Sequence, residues 1–423
     1  MPHLLLLLPT TTYRAEAFLD ASRKLGVDVT VGAEGTAMLA GQEDLSFLAL
    51  DFRKAEDSVR TVVEFVQTRP IDAVIGVDDN TTVLAAEISA ALGLPHNSVD
   101  SVSAARNKRL MRELLRRHGV PVPSFMLLSL DDDPKAVAGQ VSFPCVAKPL
   151  ILSASCGVIR ANDAAEFVAA FRRVASLLMQ LGLTATDKAA RQILVEDFVP
   201  GREVALEGLL TQGKLRVLAL FDKPDPMDGP FFEETIYVTP SRLPASVQAD
   251  IASCAARAAK AMGVQEGPMH GELRVNEKGV WVIEVAARSI GGRCSRTLRF
   301  ATDMSLEELI LRHALRMDIP SFDREGKAAG VMMLPIPRAG VLSDIRGQEQ
   351  ALAVPGIEEL AVTAQPRQEL VPLPEGTRYL GFLIARGDTA EAVEAALRQA
   401  HSKLEFVINP TLTQAQNSRV MSF

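Results

Sequence analysis

Glu272, Glu284 and Arg288 stand close together in ELRVNEKGVWVIEVAARSIGG, residues 272–292. The run Val280 to Val285 has the apolar, β-branched character of a buried strand, yet Glu284 falls inside it. The polar Asn276-Glu277-Lys278-Gly279 ahead of it reads as the turn of a hairpin. Such a hairpin sets Glu272 and Glu284 side by side on neighbouring strands. Two carboxylates placed together in a core repel each other and lose hydration unless a cation lies between them. The pair therefore predicts a metal site.

The remaining sequence must supply the frame that holds this pair. With 423 residues, 48% hydrophobic and 23% charged, the chain is long enough for about three domains of roughly 150 residues. A net charge of -7 and a pI near 5.6 argue against a broad phosphate-neutralising surface, so small molecules are the expected partners and nucleic acid is not. Cys145, Cys156, Cys254 and Cys294 are widely spaced without a CxxC, which predicts neither a zinc site nor a disulfide framework and fits a reducing, cytoplasmic setting. Leu4 to Leu8 is too short for a signal peptide and lacks a basic segment ahead of it, so it reads as a first buried strand. No stretch approaches the roughly 20 apolar residues of a membrane span.

The opening alternates strands at Leu4–Leu8, Asp28–Val31, Ser46–Leu50 and Ala73–Val77 with helices around Tyr13–Leu25 and Val59–Thr68, the pattern of an open parallel α/β domain. Thr10 to Thr12 and Asp78 to Asn80 follow the first and fourth strands, where such sheets place ligands. Helix N-caps are the plainer reading of both. A helix is predicted over Val102–His118, before the break GVPVPS, and Ile193–Leu210 reads as strand, tight Pro200-Gly201 turn, strand. A new compositional block starts near Ala328, and Asp388 with Glu391 three residues on predicts the N-cap of a helix running to Leu404. The predicted domains are 1–102, 103–322 with a lid over about 122–195, and 323–423.

In order, the chemistry-bearing residues are Lys108, Lys148 at the end of FPCVAKPL, the small-residue loop SASCGVIR, Glu196 and Glu203, Glu272, Glu284 and Arg288. This succession resembles the ATP-grasp superfamily over roughly residues 1–320. The KPDPMDGPFFEET loop, the ARSIGG ending and RYLGFLIARGD narrow it to carboxylate-amine ligases similar to bacterial L-amino acid (dipeptide) ligases. The resemblance implies an α/β chain of ATP-grasp architecture: an N-terminal open parallel α/β domain, a two-part ATP-grasp domain and a small α+β C-terminal domain. It implies ATP and Mg2+, with Mn2+ as an alternative, and small carboxylate and amine substrates of amino-acid type; no membrane partner is expected without an apolar span, and the oligomeric state is open, a homodimer being the commonest default.

Roles follow residue by residue, each beside a plainer reading. Lys108 and Lys148 resemble the two phosphate lysines, although a helical lysine such as Lys108 is ordinarily solvated. Ser153, Ser155 and Gly157 match the lid that closes over phosphates, with a single glycine where richer versions have several. Glu196, Phe198 and Val199 resemble the strand that recognises adenine, and Glu203 the ribose acceptor; the alternative is a pair of exposed hairpin glutamates. Glu272 and Glu284 resemble magnesium ligands, since that ion takes hard oxygens and keeps water and phosphate in its shell; structural ion pairs with nearby arginines are the alternative. Where much of the superfamily has an asparagine as a further ligand, this chain has Ala286. Arg288 is the candidate for holding the transferring phosphoryl group, and the side-chain-free Gly291 and Gly292 can bring amides close to an oxyanion. His270 shares a strand face with Glu272 and is a pocket residue or a core histidine. Lys223, Glu233 and Glu234 lie in a Pro- and Gly-punctuated loop that closes over substrate or is simply solvated. Cys156 has no histidine near it in sequence and is not expected to be a catalytic thiol. Rival functions are a purine-pathway or bicarbonate-activating ligase of the same fold, and an ATP-binding protein without turnover.

Overall fold

The computed structural model describes residues 1–9, 12–35, 45–185, 187–301 and 303–411. The chain divides into two compact units, one of residues Met1–Pro123, Glu203–Phe221 and Arg242–Gly326, the other of Ser124–Arg202, Asp222–Ser241 and Lys327–Phe423. Among the described residues no helix is long and apolar enough to cross a membrane.

The first unit opens with a parallel four-stranded sheet, ordered Ser46–Ala49, Asp28–Ala33, His3–Leu7, Ala73–Gly76. His3–Leu7 lies between two neighbours, with Leu4 opposite Val29 on one side and Ala73 on the other. A central parallel strand is covered on both faces, which is why Leu4 to Leu7 are all apolar and the strand is buried at every position. Thr10 and Thr11 lie outside the described residues; the Thr12 hydroxyl accepts from the Arg14 amide at 3.2 Å. Asp78 is the N-cap of helix Asp79–Ala91, closing a capping box with Thr81.

Strands Gly279–Ala286, Gly267–Asn276, Arg202–Thr211 and Lys214–Asp222 follow one another in a second arrangement, the first two antiparallel. Helices Lys108–Arg117 and Ala245–Met262 pack on it, their Met111, Leu115, Ile251, Ala255 and Ala258 meeting Leu206, Leu273, Val282 and Val285 in one core. The single helix expected over Val102–His118 is two, Val99–Arg106 and Lys108–Arg117. Asn107 between them is extended, and its side chain accepts from the amides of Arg109 and Leu110, which makes it the N-cap of the second helix. Lys108 is thereby moved from mid-helix to the first helical residue.

The second unit holds an antiparallel sheet ordered Phe125–Ser129, Gln192–Asp197, Cys145–Pro149, Ile159–Ala161, packed on helix Ala164–Gln180 through Phe167, Phe171 and Val174. The tight hairpin expected across Pro200-Gly201 is not formed. Gln192–Asp197 pairs with Phe125–Ser129 and Cys145–Pro149, whereas Arg202–Thr211 runs in the other arrangement beside Gly267–Asn276. A second group of strands, Ile236–Thr239, Ala328–Leu334, Gly381–Gly387 and Ile357–Val362, carries helix Ala390–His401. That helix is capped by Thr389, whose hydroxyl accepts from the Ala392 amide, and not by Asp388.

Candidate active site

The hairpin of Gly267–Asn276 and Gly279–Ala286 turns over Glu277 and Lys278, with Asn276 opposite Gly279. From there the ladder runs regularly to Leu273 opposite Val282, a register whose continuation would set Glu272 opposite Ile283. A bulge intervenes between Glu272 and Leu273, and Glu272 faces Glu284 instead. The bulge has a named support. Arg112, fully buried on helix Lys108–Arg117, donates to the Ile283 carbonyl at 2.6 Å. The pairing of the two carboxylates therefore depends on one extra residue and on a buried guanidinium that takes up its carbonyl.

Around this pair the first unit gathers three more of the expected residues. Lys108 is buried, contrary to the solvated reading, and its Nζ lies 3.6 Å from Glu284 Oε1. His270 stands opposite Ala286, so an imidazole occupies the register position across from the missing asparagine. Its Nδ1 is 3.2 Å from the Leu206 carbonyl and its Nε2 3.8 Å from Glu272 Oε1. Arg288 donates to Asp79 Oδ2 at 2.8 Å and to the Ser289 carbonyl at 2.9 Å. Burial opposes its charge, but Asp79, by charge and hydrogen bond, holds the Arg288 pKa above its ordinary value. Burial likewise works to raise the Asp79 carboxyl, and Arg288, with Arg14 and Lys108, brings it below the usual range. Asp79 was legible as part of a stretch where such sheets place ligands or cap a helix; its role as the arginine's counter-ion was not.

The segment after Arg288 is held by the loop that follows the first strand. Buried Arg14 donates to the carbonyls of Val77, Ser289 and Ile290. The Gly292 amide donates to the Tyr13 hydroxyl at 2.6 Å, and a Cβ on Gly291 would stand 3.3 Å from the same oxygen. The expectation that both glycine amides face an oxyanion is thus corrected for Gly292, whose N–H is engaged by tyrosine. Glu203, expected to be exposed or to meet ribose, is buried and accepts from Arg274 Nε at 2.8 Å.

In the second unit Lys148 is not a lone cation. It lies in the fully buried strand Cys145–Pro149, opposite Leu194, and Glu196 two residues further on the neighbouring strand shares its face and forms a close ion pair with it. Both are buried, which corrects the exposed-hairpin reading of Glu196. The Phe198 amide donates to the Pro144 carbonyl at 2.9 Å, so an adenine contact at Phe198 would fall to its carbonyl and not its N–H. The Ser153–Gly157 loop holds Ala154 and Ser155 at φ 54 and 55 as well as Gly157 at φ 71, so two ordinary residues adopt the left-handed backbone that glycines supply in richer lids. Cys156 is buried, its Sγ 3.7 Å from the Glu375 carbonyl, and burial with the nearby Glu375 charge pushes its thiol up to about 11. A thiol with that value stays protonated at neutral pH, and Cys156→Ser is expected to leave turnover unchanged.

The loop carrying Lys223, Glu233 and Glu234 is not simply solvated. Its Met227 and Phe232 are buried against Val146, Val158 and Phe198. Lys223 Nζ lies 3.3 Å from Glu234 Oε1 and 4.8 Å from the centre of the Tyr237 ring, and burial raises the Glu233 carboxyl. Lys148→Ala should weaken ATP binding by about ten-fold or more, a charge-assisted phosphate contact being worth roughly 1.5 to 3 kcal/mol, and should also lower the melting temperature because Glu196 loses this partner in a buried site. Nucleotide titration and thermal unfolding check both; unchanged ATP affinity would remove Lys148 from the site.

Among the described residues no group of three or more His, Cys, Asp or Glu side chains is placed to hold a metal. Two hard carboxylates in register are a donor set suited to an ion that completes its shell with water and phosphate oxygens, and Glu272 and Glu284 fit magnesium on that ground.

Three family models match the chain: an ATP-grasp N-terminal domain over residues 19–96, an ATP-grasp domain over 141–297 and an L-amino acid ligase C-terminal domain 2 over 332–409. The chain belongs to the ATP-grasp superfamily. It joins the ATP-grasp N-terminal and ATP-grasp domains to the C-terminal domain 2 of the L-amino acid ligases. This ATP-grasp chain is 25% identical over 277 residues to alanine–anticapsin ligase of Bacillus subtilis, covering 62% of this chain and 58% of that one. It is 27% identical over 398 residues to carnosine synthase 1 of Homo sapiens, covering 88% of this chain and 47% of that one. It therefore spans about half the length of these two relatives. Among solved structures, L-amino acid ligase from Bacillus licheniformis shares its fold with a TM-score of 0.80 at 24% identity, over 97% of this chain and 99% of that one.

Proposed function

We propose that this ATP-grasp chain joins a small carboxylate to an amine, both of amino-acid type, through an acyl phosphate. The observation that carries the reading is the register pair Glu272–Glu284, with Lys108 3.6 Å from Glu284. Glu272 and Glu284 would hold magnesium, which supplies charge neutralisation at the phosphates. An oxygen of the donor carboxylate attacks the γ-phosphorus, the bond from that phosphorus to the β–γ bridging oxygen breaks, and ADP leaves. The amine nitrogen then attacks the acyl carbon, the acyl C–O bond breaks with phosphate as leaving group, and a proton leaves the nitrogen.

Each residue's part follows from its charge and place. Lys108 and Lys148 contribute cations to the nucleotide phosphates, and Ser153, Ser155 and Gly157 belong to the loop that covers them. Glu196, Phe198, Val199 and Glu203 belong to the nucleoside end. Arg288 offers a fork of donors to the charge that grows on the transferring phosphoryl group. Asp79 keeps that fork in place when no phosphate is near. His270, Lys223, Glu233 and Glu234 are proposed substrate contacts. The domain boundaries 1–102, 103–322 and 323–423, a homodimer and a cytoplasmic location belong to the same proposal. The test is a phosphate-release screen over pairs of amino acids and other small carboxylates and amines. Release that needs both a carboxylate and an amine supports the reading, and ATP binding without release from any pair contradicts it.

A further inference from the structure

We infer that Glu207 is a positioning residue, holding the Ile290 amide and through it the segment from Arg288 to Gly292. Glu207 lies in the middle of strand Arg202–Thr211, in the apolar run VALEGLL, and is 0% exposed. Its Oε2 accepts from the Ile290 amide at 2.9 Å. Its Oε1 is buried and has no hydrogen-bond partner among the described residues. A carboxyl in such a place costs folding free energy, and an apolar side chain of similar volume would ordinarily serve stability as well or better. Stability therefore does not account for a glutamate here. What it touches does.

Residues 287–291 have no strand or helix ladder, so side chains must fix their backbone. Arg14 takes the carbonyls of Ser289 and Ile290 from one side, and Glu207 takes the Ile290 N–H from another. Both anchors are buried, Glu207 on a strand and Arg14 just ahead of helix Ala15–Leu25. Arg288 sits two residues before the clamped amide and Gly292 two after it. Burial raises the Glu207 carboxyl well above its ordinary value and Glu307 adds to this, while the Ile290 hydrogen bond, Arg14 and Arg288 pull the other way. Burial thus works against a charge on the group that holds the amide, and a glutamine copies its shape and its acceptor oxygen.

The test compares Glu207→Gln with Glu207→Asp, which keeps the carboxyl and withdraws it by one methylene. The inference rests on the ligase reading for its kinetic arm alone. Glu207→Gln should keep kcat within about three-fold, and Glu207→Asp should lower kcat by about 10- to 100-fold with the KM for ATP within about two-fold, since a displaced guanidinium acts on the transition state more than on bound nucleotide. The second arm is hydrogen exchange at residues 288–292, which needs no turnover: the Ile290 amide should stay protected in the parent and in Glu207→Gln and exchange about ten-fold faster or more in Glu207→Asp. If the parent releases no phosphate with any substrate pair, the ligase reading has failed and the exchange arm still decides this one. Glu207→Asp matching the parent in exchange, or Glu207→Gln impaired as deeply as Glu207→Asp, overturns the inference.

Discussion

Arg288→Ala is expected to cut turnover by on the order of 10² or more while leaving ATP affinity within a few-fold of the parent. The reason lies in what the guanidinium meets at each stage. Before reaction it already has a carboxylate partner, Asp79 at 2.8 Å, so it gains little by meeting a ground-state phosphate. As the phosphoryl group transfers, negative charge spreads over its equatorial oxygens, and a fork of fixed donors gains most at that moment. Arg288→Lys should recover only part of the loss, because an ammonium keeps the charge and gives up the planar geometry. Steady-state kinetics with a parallel ATP titration separates the effects, and thermal unfolding controls for Asp79 losing its partner. Equal losses in binding and turnover would make Arg288 an ordinary ground-state contact.

Glu272→Gln and Glu284→Gln should each collapse turnover, and no excess of substrate should restore it. Glutamine keeps the shape and leaves the bulge intact, so what is lost is charge facing the cation. Binding of Mn2+ followed by its electron paramagnetic resonance signal gives a readout independent of rate, and it should weaken in both variants. Ala286→Asn grades the same site. His270 stands across from Ala286, so an added amide either supplies an oxygen to the ion and lowers the magnesium needed for half-maximal rate, or crowds the imidazole and slows the reaction. Parental rates and parental magnesium dependence in both glutamine variants would make the paired carboxylates structural.

The order of chemistry-bearing residues was legible because their types are unusual where they stand: a glutamate inside GVWVIEVAA, a lysine ending an apolar strand. The alternation of strands and helices in the first hundred residues was legible from hydrophobic pattern. What escaped depends on contacts between residues far apart in the chain. The bulge that brings Glu284 opposite Glu272 leaves no local mark, since its support, Arg112, is distant in sequence and reads as one of several basic residues on a helix. Asn107 breaks a run that looks continuously helical by accepting from the next helix's first amides. Lys148 reads as needing an anion, and sequence suggests phosphate, whereas the fold also brings Glu196 to it across a strand pair. Glu207, an acid in an apolar strand as Glu284 is, and Asp79, one of two aspartates following the fourth strand, stand at positions of the same kind, but their roles come only from their distant partners Ile290 and Arg288.

The acyl phosphate is the centre of this account, and isotope transfer tests it most directly. Donor carboxylate labelled with 18O, incubated with ATP, magnesium and the amine that supports phosphate release, is predicted to give ADP and orthophosphate carrying one labelled oxygen, because the oxygen that attacks the γ-phosphorus leaves with it when the amine displaces phosphate. Label appearing in AMP, with pyrophosphate as the other product, or orthophosphate free of label while amide accumulates, would contradict it.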